Sequence, residues 1–236
     1  INDCLTSVKF QNYENIEHII IDGASTDGTS SLLESKRDQF TTLISEADKG
    51  IYDAMNKGIS IATGDVIGFL NSDDFYENSK VISTVAREFE KDSSLDVCYA
   101  DLIYVGKLNT SKIVRYVKSS EFKKGLFSKG WCPPHPTFFA RRSVYEALGN
   151  FDLNYHIASD VELMMRFLEI HKVKSLYVPE IWVKMRIGGT TNKSLKNIWL
   201  QNKEILNSFY KNGLSINPIS FFIHKIISRL KQFFSR

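Results

Sequence analysis

The chain has 236 residues, 43% hydrophobic and 24% charged, which suits one large domain with a real core and excludes a disordered chain. A net charge of +3 argues for no nucleic-acid partner, and no apolar run approaches the ~20 residues that cross a bilayer. Its three cysteines, Cys4, Cys98 and Cys132, lie far apart without CxxC spacing, which excludes a disulfide framework and suits a reducing, cytoplasmic setting.

In chain order, "INDCLTSVKF" opens without methionine, and Ile1, Leu5 and Val8 are spaced like a helix already under way, so the chain reads as truncated at its start. "EHIIIDG" (17–23) is a continuous apolar run ending in Asp-Gly, as in a strand buried on both faces of a parallel sheet. "TSSLLESKRDQF" reads as a helix and "TTLISEA" as a second strand. In "GIYDAMNKGISIAT", Ile51, Ala54, Met55, Ile59 and Ala62 follow a helical period closed by Gly64. "DVIGFLNS" is a third strand, "SKVISTVAREFEKD" a helix and "LDVCYADLIYV" another strand. This βαβα alternation predicts a doubly wound α/β sheet with ligands at the carboxyl ends of its strands.

The second half reads differently. "IVRYVKSS" forms an edge hairpin with the strand before it. "WCPPHPTFFARRSVYEAL" is irregular at its prolines, then strand, then helix. "ASDVELMMRFLEIH" is a helix with Ser159 and Glu162 spaced as a capping box. "GGTT" (188–191) is a loop, and two helices close the chain. The expected division is a domain over 1–192 and a helical extension over 193–236.

Asp73 and Asp74 end the third strand side by side. One Asp there is ordinary helix capping. Two like charges need a cation or donors, and Mg²⁺ or Mn²⁺ takes such carboxylates together with water and phosphate oxygens. "IIIDGASTDGTS" is no calcium loop, because with Asp22 at position 1, Asp27 falls where Gly and Leu33 where Glu is needed. Nor is it a P-loop, since no Gly-Lys-Ser/Thr follows. Asp22 followed by Gly23 suits recognition of a ring or ribose, and equally an Asx-rich turn before a helix. "SEADKGIYDAMNKG" by itself is a solvated helix start.

Taken together, "IIIDGASTDGT", "SEADKGIYDAMNKGI" and "GDVIGFLNSDD", in this order and spacing, resemble the family 2 glycosyltransferases of the GT-A fold, over roughly residues 5–190, and most of all bacterial enzymes of surface-polysaccharide assembly such as O-antigen and capsule. The resemblance implies a GT-A, Rossmann-like, mixed and mostly parallel sheet flanked by helices, whose first strand lies upstream of this chain. It implies a nucleotide-diphosphate sugar donor, a lipid-linked or saccharide acceptor and a divalent cation, Mg or Mn. Asp22 falls on the carboxylate that contacts the base, and Asp48, Lys49 and Asn71 join it as nucleotide-binding candidates. Asp73 falls on the direct metal ligand, with Asp74 supporting. The family's motif is often Asp-x-Asp-Asp, and here Asn71 replaces the first acid. Asp160 falls on the base beside the acceptor; its ordinary structural reading is a helix-dipole partner. His135, fixed between prolines, is a second catalytic candidate. Trp131 reads as a sugar platform or as core. Arg186 with the Gly188-Gly189 loop is a candidate to close over the diphosphate. With a single base and no carboxylate nucleophile, the implied reaction is one inverting displacement.

From 193 onward Lys193, Lys196, Lys203, Lys211, Lys225, Arg229, Lys231 and Arg236 are opposed only by Glu204. In 217–236 the apolar residues keep helical spacing, which fits a helix packed on the domain or one lying on an anionic membrane at the inner face of the cytoplasmic membrane. Two rival readings stand beside the transferase: a sugar nucleotidyltransferase, and a non-catalytic nucleotide-binding relative.

Overall fold

The computed structural model describes residues 1–188 and 194–234. Its elements in chain order are α1 (Asn2–Lys9), β1 (Ile19–Asp22), α2 (Thr29–Glu34), β2 (Thr42–Ser45), α3 (Ile51–Ile61), β3 (Val66–Ile67), β4 (Phe75–Tyr76), α4 (Val81–Lys91), β5 (Val97–Val105), β6 (Ile113–Val117), β7 (Phe139–Arg141), α5 (Arg142–Leu148), α6 (Ser159–Met165), β8 (Ser175–Arg186), α7 (Leu195–Lys211) and α8 (Pro218–Phe234).

The expected α/β alternation is present, and the sheet is mixed. β1 and β2 pair in parallel as a two-stranded sheet. A second sheet runs β3-β7-β5-β8-β4, with β6 also on β5. Its longest ladder, β5 with β8, is parallel. The shorter ladders β3–β7, β4–β8, β5–β6 and β5–β7 are antiparallel. The β5–β6 pair is the hairpin expected from "IVRYVKSS".

β5 explains why its sequence is continuously apolar. Strand side chains alternate faces, and both faces here are covered. Val97 and Tyr99 enter a cluster with Phe138, Val144, Leu163, Met164 and Phe167. Cys98, Ala100 and Leu102 enter another with Val81, Val85, Phe89 and Trp182. Ile205 and Phe209 of α7 and Phe221 of α8 belong to the first cluster, so the C-terminal helices share the core that supports α6. A third, smaller group, Leu5, Leu33 and Phe40, packs with Ile20 and Leu43 of the two-stranded sheet.

Three local expectations are corrected. The helix at 51–61 buries Tyr52 and Ile59, while Ile51 is 51% exposed. The box formed by Ser159 and Glu162 does not cap α6: Ser159 Oγ donates to the Asp152 carbonyl, and Glu162 pairs with Arg166. The N-cap is Ala158. The apolar run "DVIGFLNS" is strand only at Val66–Ile67. Gly68 marks the break, because the Phe139 ring lies where a side chain would be: a Cβ there would stand 2.2 Å from a ring carbon. The longest strand, β8, was not legible because Pro179 and Glu180 interrupt its pattern. Between Val178 and Ile181 the register with β5 shifts, as expected where proline supplies no N–H to a ladder.

Gly68→Ala should therefore destabilise the fold by about 1–3 kcal/mol through overpacking against Phe139. Urea unfolding of the two proteins checks this, and an unchanged midpoint would show that the Phe139 ring yields freely.

Candidate active site

β1 and β2 run in parallel and in register from Ile19 opposite Thr42 to Asp22 opposite Ser45, so their carboxyl ends share one edge. Asp22 is buried there. Its Oδ2 accepts from Ser45 Oγ at 2.6 Å, the Ser25 amide at 3.1 Å and Ser30 Oγ at 3.2 Å. Burial opposes ionisation of Asp22, but the Ser25, Ser45 and Ser30 bonds outweigh it and hold the carboxyl below its usual range. The loop folds back onto Asp22 through a left-handed Ala24, φ 59°. Gly23 makes room for a second acid: a Cβ there would lie 2.4 Å from Asp48 Oδ2. Asp48 Oδ1 accepts from the Gly50 amide at 2.8 Å, and Asp53 Oδ2 from the Lys49 amide at 2.9 Å, so both carboxylates shape the turn that starts α3. Lys49 itself is exposed.

The acidic pair splits. Asp73 is exposed, whereas Asp74 is fully buried. A turn closes between the Asp74 amide and the Asn71 carbonyl, and Asn71 Nδ2 donates to Asp74 Oδ2 at 3.0 Å. The amide at position 71 is thereby explained locally. It donates to a buried carboxylate that a third acid would only repel. The Arg186 amide reaches Asp74 Oδ1 at 3.3 Å, and its guanidinium bonds the Asp73 carbonyl and the Asp3 carboxylate and lies over the Phe75 ring. Arg186 thus sits at the acidic turn. Gly189 lies outside the described residues. Burial pushes the Asp74 carboxyl up to about 7, with Asp73 adding to the rise and Asn71 and Arg186 opposing it.

Among the described residues no group of three His, Cys, Asp or Glu side chains forms a ready metal cage. The acidic turn nevertheless fits a hard divalent cation that completes its shell with water and phosphate oxygens. Asp73 offers an open carboxylate, and Asp74 behind it is short of positive charge.

The third group gathers around Asp160 in the first turn of α6. Tyr52 of α3 donates to Asp160 Oδ1 at 2.9 Å, and the Val161 amide bonds the same oxygen at 2.9 Å. His135 is near enough for Asp160 to favour its charged form, but burial outweighs this and lowers the imidazole below its usual range. Its ring stacks on Phe69 at 5.6 Å and meets the edge of Phe151 at 5.6 Å. Phe151 stacks in turn on Tyr52 at 5.5 Å. Phe69 lies two residues before Asn71, so this aromatic group joins the acidic turn to the Asp160 helix. Trp131 packs edge-on to Tyr99 and Phe127 beside the core.

The sequence candidates therefore fall on one arc: Asp22 beside Asp48, α3 leading from Asp48 to Tyr52 and Asp160, then His135, Phe69 and the turn of Asn71, Asp73, Asp74 and Arg186. Two residues of this arrangement escaped the sequence reading. Tyr52 looked like one position of an amphipathic helix. Glu204, the lone acid of the basic C-terminal stretch, is buried in α7 and accepts from the amides of His156, Ile157 and Ala158, each at 2.9 Å. Its isolation among lysines was the only available signal.

A family model described as glycosyl transferase family 2 matches residues 1–149. A PGL/p-HBAD biosynthesis glycosyltransferase of Mycobacterium bovis (strain BCG / Pasteur 1173P2) is 28% identical over 193 residues, 80% of this chain and 73% of that protein. An uncharacterized glycosyltransferase of Mycobacterium tuberculosis (strain ATCC 25618 / H37Rv) is 32% identical over 161 residues, 68% of this chain and 60% of that one. Among solved structures, S. aureus TarS 1-349 in complex with UDP superposes with a TM-score of 0.62 at 15% identity, over 95% of this chain. The present chain spans 65% of that one, just under two thirds. That likeness is one of fold, the GT-A arrangement.

The raised Asp74 carboxyl has a measurable consequence in metal-free protein. Its folded value, about 7, lies above the ordinary 3.8, so the stability carried by the protonated form is full below about pH 4 and lost as pH rises through about 7. Asp74→Asn removes this dependence. Between pH 4 and pH 8 the parent should lose stability relative to Asp74→Asn by on the order of a few kcal/mol. Urea unfolding at several pH values measures it, and a pH-independent difference would show that Asp74 titrates as an ordinary carboxyl.

Proposed function

The chain belongs to glycosyl transferase family 2, and from that premise we propose that it moves a sugar from a nucleoside-diphosphate donor to an acceptor hydroxyl with inversion, in the assembly of a cell-surface glycan. Membership makes it a glycosyltransferase and sets aside the nucleotidyltransferase reading. The observation that carries the finer reading is the half-buried Asp160, held by Tyr52 through one oxygen only. Among the described residues no donor engages its Oδ2, so that oxygen is open to an incoming hydroxyl.

In this reading Asp22 and Asp48 receive the base and ribose at the β1–β2 edge, with Lys49 next to Asp48, and Asn71 of the acidic turn reaches the nucleotide from the metal side. Asp73, backed by Asp74, would hold a divalent cation, which when bound supplies positive charge to the diphosphate. Arg186 lies next to that turn and adds a second cation. Asp160 Oδ2 takes the proton of the acceptor hydroxyl while its oxygen bonds the anomeric carbon. The carbon–oxygen bond to the diphosphate breaks, and the leaving phosphate keeps the electron pair. Attack from the face opposite the leaving group inverts the centre. His135, held neutral by burial, lines the acceptor side. The UDP in the TarS complex supports a uridine diphosphate donor.

A lipid-linked acceptor would bring the enzyme to the inner face of the cytoplasmic membrane. No helix among the described residues is long and apolar enough to cross one. Ile219, Ile223, Ile226, Ile227 and Leu230 of α8 are nonetheless 46–73% exposed along one side of the helix. Its other side packs through Phe221. The helix rests on β6 and the turn at 127–129, where Lys118, Lys123, Lys124 and Lys129 are exposed. Such a stripe beside lysines suits an anionic bilayer.

Asp160→Asn should lower turnover by about 10²- to 10⁴-fold with nucleotide affinity retained, whereas Asp73→Ala should abolish the Mn²⁺-dependent part of UDP binding. Release of UDP or GDP from a donor panel, with metal and with chelator, reads the first; calorimetry reads the second. Wild-type turnover of Asp160→Asn would remove the base assignment, and unchanged titrations of Asp73→Ala the metal assignment. Since Phe221 belongs to the core, the membrane reading is best tested without truncation. Ile223→Glu with Ile227→Glu should abolish co-sedimentation with phosphatidylglycerol vesicles, and equal soluble fractions for parent and variant would end it.

A further inference from the structure

The "GIYDAMN" segment carries more than a helix start. Tyr52 and Asn56 are one turn apart and face the same way on α3. Asn56 forms a two-way clamp on Phe151, its Nδ2 donating to the Phe151 carbonyl at 2.9 Å and its Oδ1 accepting from the Phe151 amide at 3.0 Å. Tyr52 stacks on the Phe151 ring with an interplanar angle of 25° and extends its hydroxyl to Asp160. Farther along the same segment, Glu204 of α7 accepts from three successive amides just before α6. The backbone that delivers Asp160 is thus clamped at both ends, and one bond from another side chain fixes the carboxylate itself.

We infer that Tyr52 is a positioning residue for sugar transfer: its hydroxyl occupies Oδ1 of Asp160 and so commits Oδ2 to the acceptor, an inference that rests on Asp160 being the base. The groups facing this carboxylate are Tyr52 from α3, His135 and Cys132 from the proline-rich segment, and Glu204 from α7 beyond Tyr52. Of these side chains, Tyr52 donates a hydrogen bond to the carboxylate. Burial, and then the charge of Asp160, push the Tyr52 phenol well above its ordinary range, so it stays a donor throughout the working pH range. Phenylalanine at 52 keeps the ring and its packing on Phe151. Without the hydroxyl Oδ1 keeps only the bond from the adjacent Val161 amide, so the carboxylate is held less firmly and its two oxygens compete for the acceptor. A bound pair held off its reactive geometry loses rate with little loss of affinity, about 10²-fold for a misplacement of ~1 Å.

The test is a double-mutant cycle on the full chain with Tyr52→Phe, Asp160→Asn and the pair, using UDP affinity and a thermal melt as folding controls. Tyr52→Phe should lower kcat about 10- to 100-fold with donor KM and UDP Kd unchanged. On the Asp160→Asn background it should cost nothing further. 3-Fluorotyrosine at position 52, which keeps the hydroxyl, should restore kcat even if the phenylalanine variant folds poorly. Wild-type kcat for Tyr52→Phe, or its full cost repeated in the double variant, would overturn the inference while leaving a slow Asp160→Asn, and hence the base, in place. Wild-type kcat for Asp160→Asn would overturn the base and this inference together.

Discussion

The structure depends on β5 being buried on both faces. A strand in that position exposes no polar edge and must find its neighbours by hydrogen bonding and side-chain alternation alone. β8 pairs along its length in parallel, and β7 and β6 share the other edge in succession. One face then carries α5, α6, α7 and α8 through Tyr99 and its neighbours, and the other carries α4 through Cys98, Ala100 and Leu102. The turn of Asp73 and Asp74 and the helix of Asp160 both stand on this slab. A change in its register would move the two chemical groups relative to one another.

Charge burial is the second constraint, and the molecule meets it differently at each place. Asp22 is surrounded by hydroxyls and an amide, which favour its ionised form. Asp101 takes the Ser119 amide and the hydroxyls of Tyr177 and Tyr116, tying β5 to β6 and β8. Glu204 takes three amides ahead of α6. Asp74 is the exception. Its donors are an amide side chain and a long backbone bond, and burial prevails. Asp101 and Glu204 are structural anchors that complete themselves within the chain, and Asp22 is held ionised at the open β1–β2 edge. Asp74, next to an exposed acid, is the one whose burial outweighs its donors.

Much of this was legible in sequence. The strands at 19–22 and 97–105, the β5–β6 hairpin and the helices at 51–61 and 81–91 follow from apolar runs and periods. The ordered motifs that contain Asp22, Asp48 and Asp74 single out their segments as candidates for chemistry. The failures share one cause. β8 was hidden by Pro179, whose missing N–H is absorbed by a bulge that only the pairing with β5 reveals. Ser159 and Glu162 have capping-box spacing, yet Asp152 and Arg166 offer them better partners from outside the local sequence. Ile51 fitted a helical face as well as Tyr52 did, and the direction of the core decided between them.

What the sequence determined by itself was chemistry in order along the chain: which segments bury apolar surface, where the acids stand, and that Asn71 takes the place of an acid. Those properties are local, and spacing within a few residues carries them. What only the tertiary structure decided was which acid faces water and which is sealed, and which distant side chain completes each group. Asp73 and Asp74 are adjacent in sequence and opposite in exposure because the turn closed between Asn71 and Asp74 leaves Asp73 in water and leads Asp74 into β4. Tyr52 and Asp160 lie 108 residues apart and meet because α3 and α6 pack against the same aromatic group. Contacts of that kind arise from the packing of elements, so no local pattern encodes them.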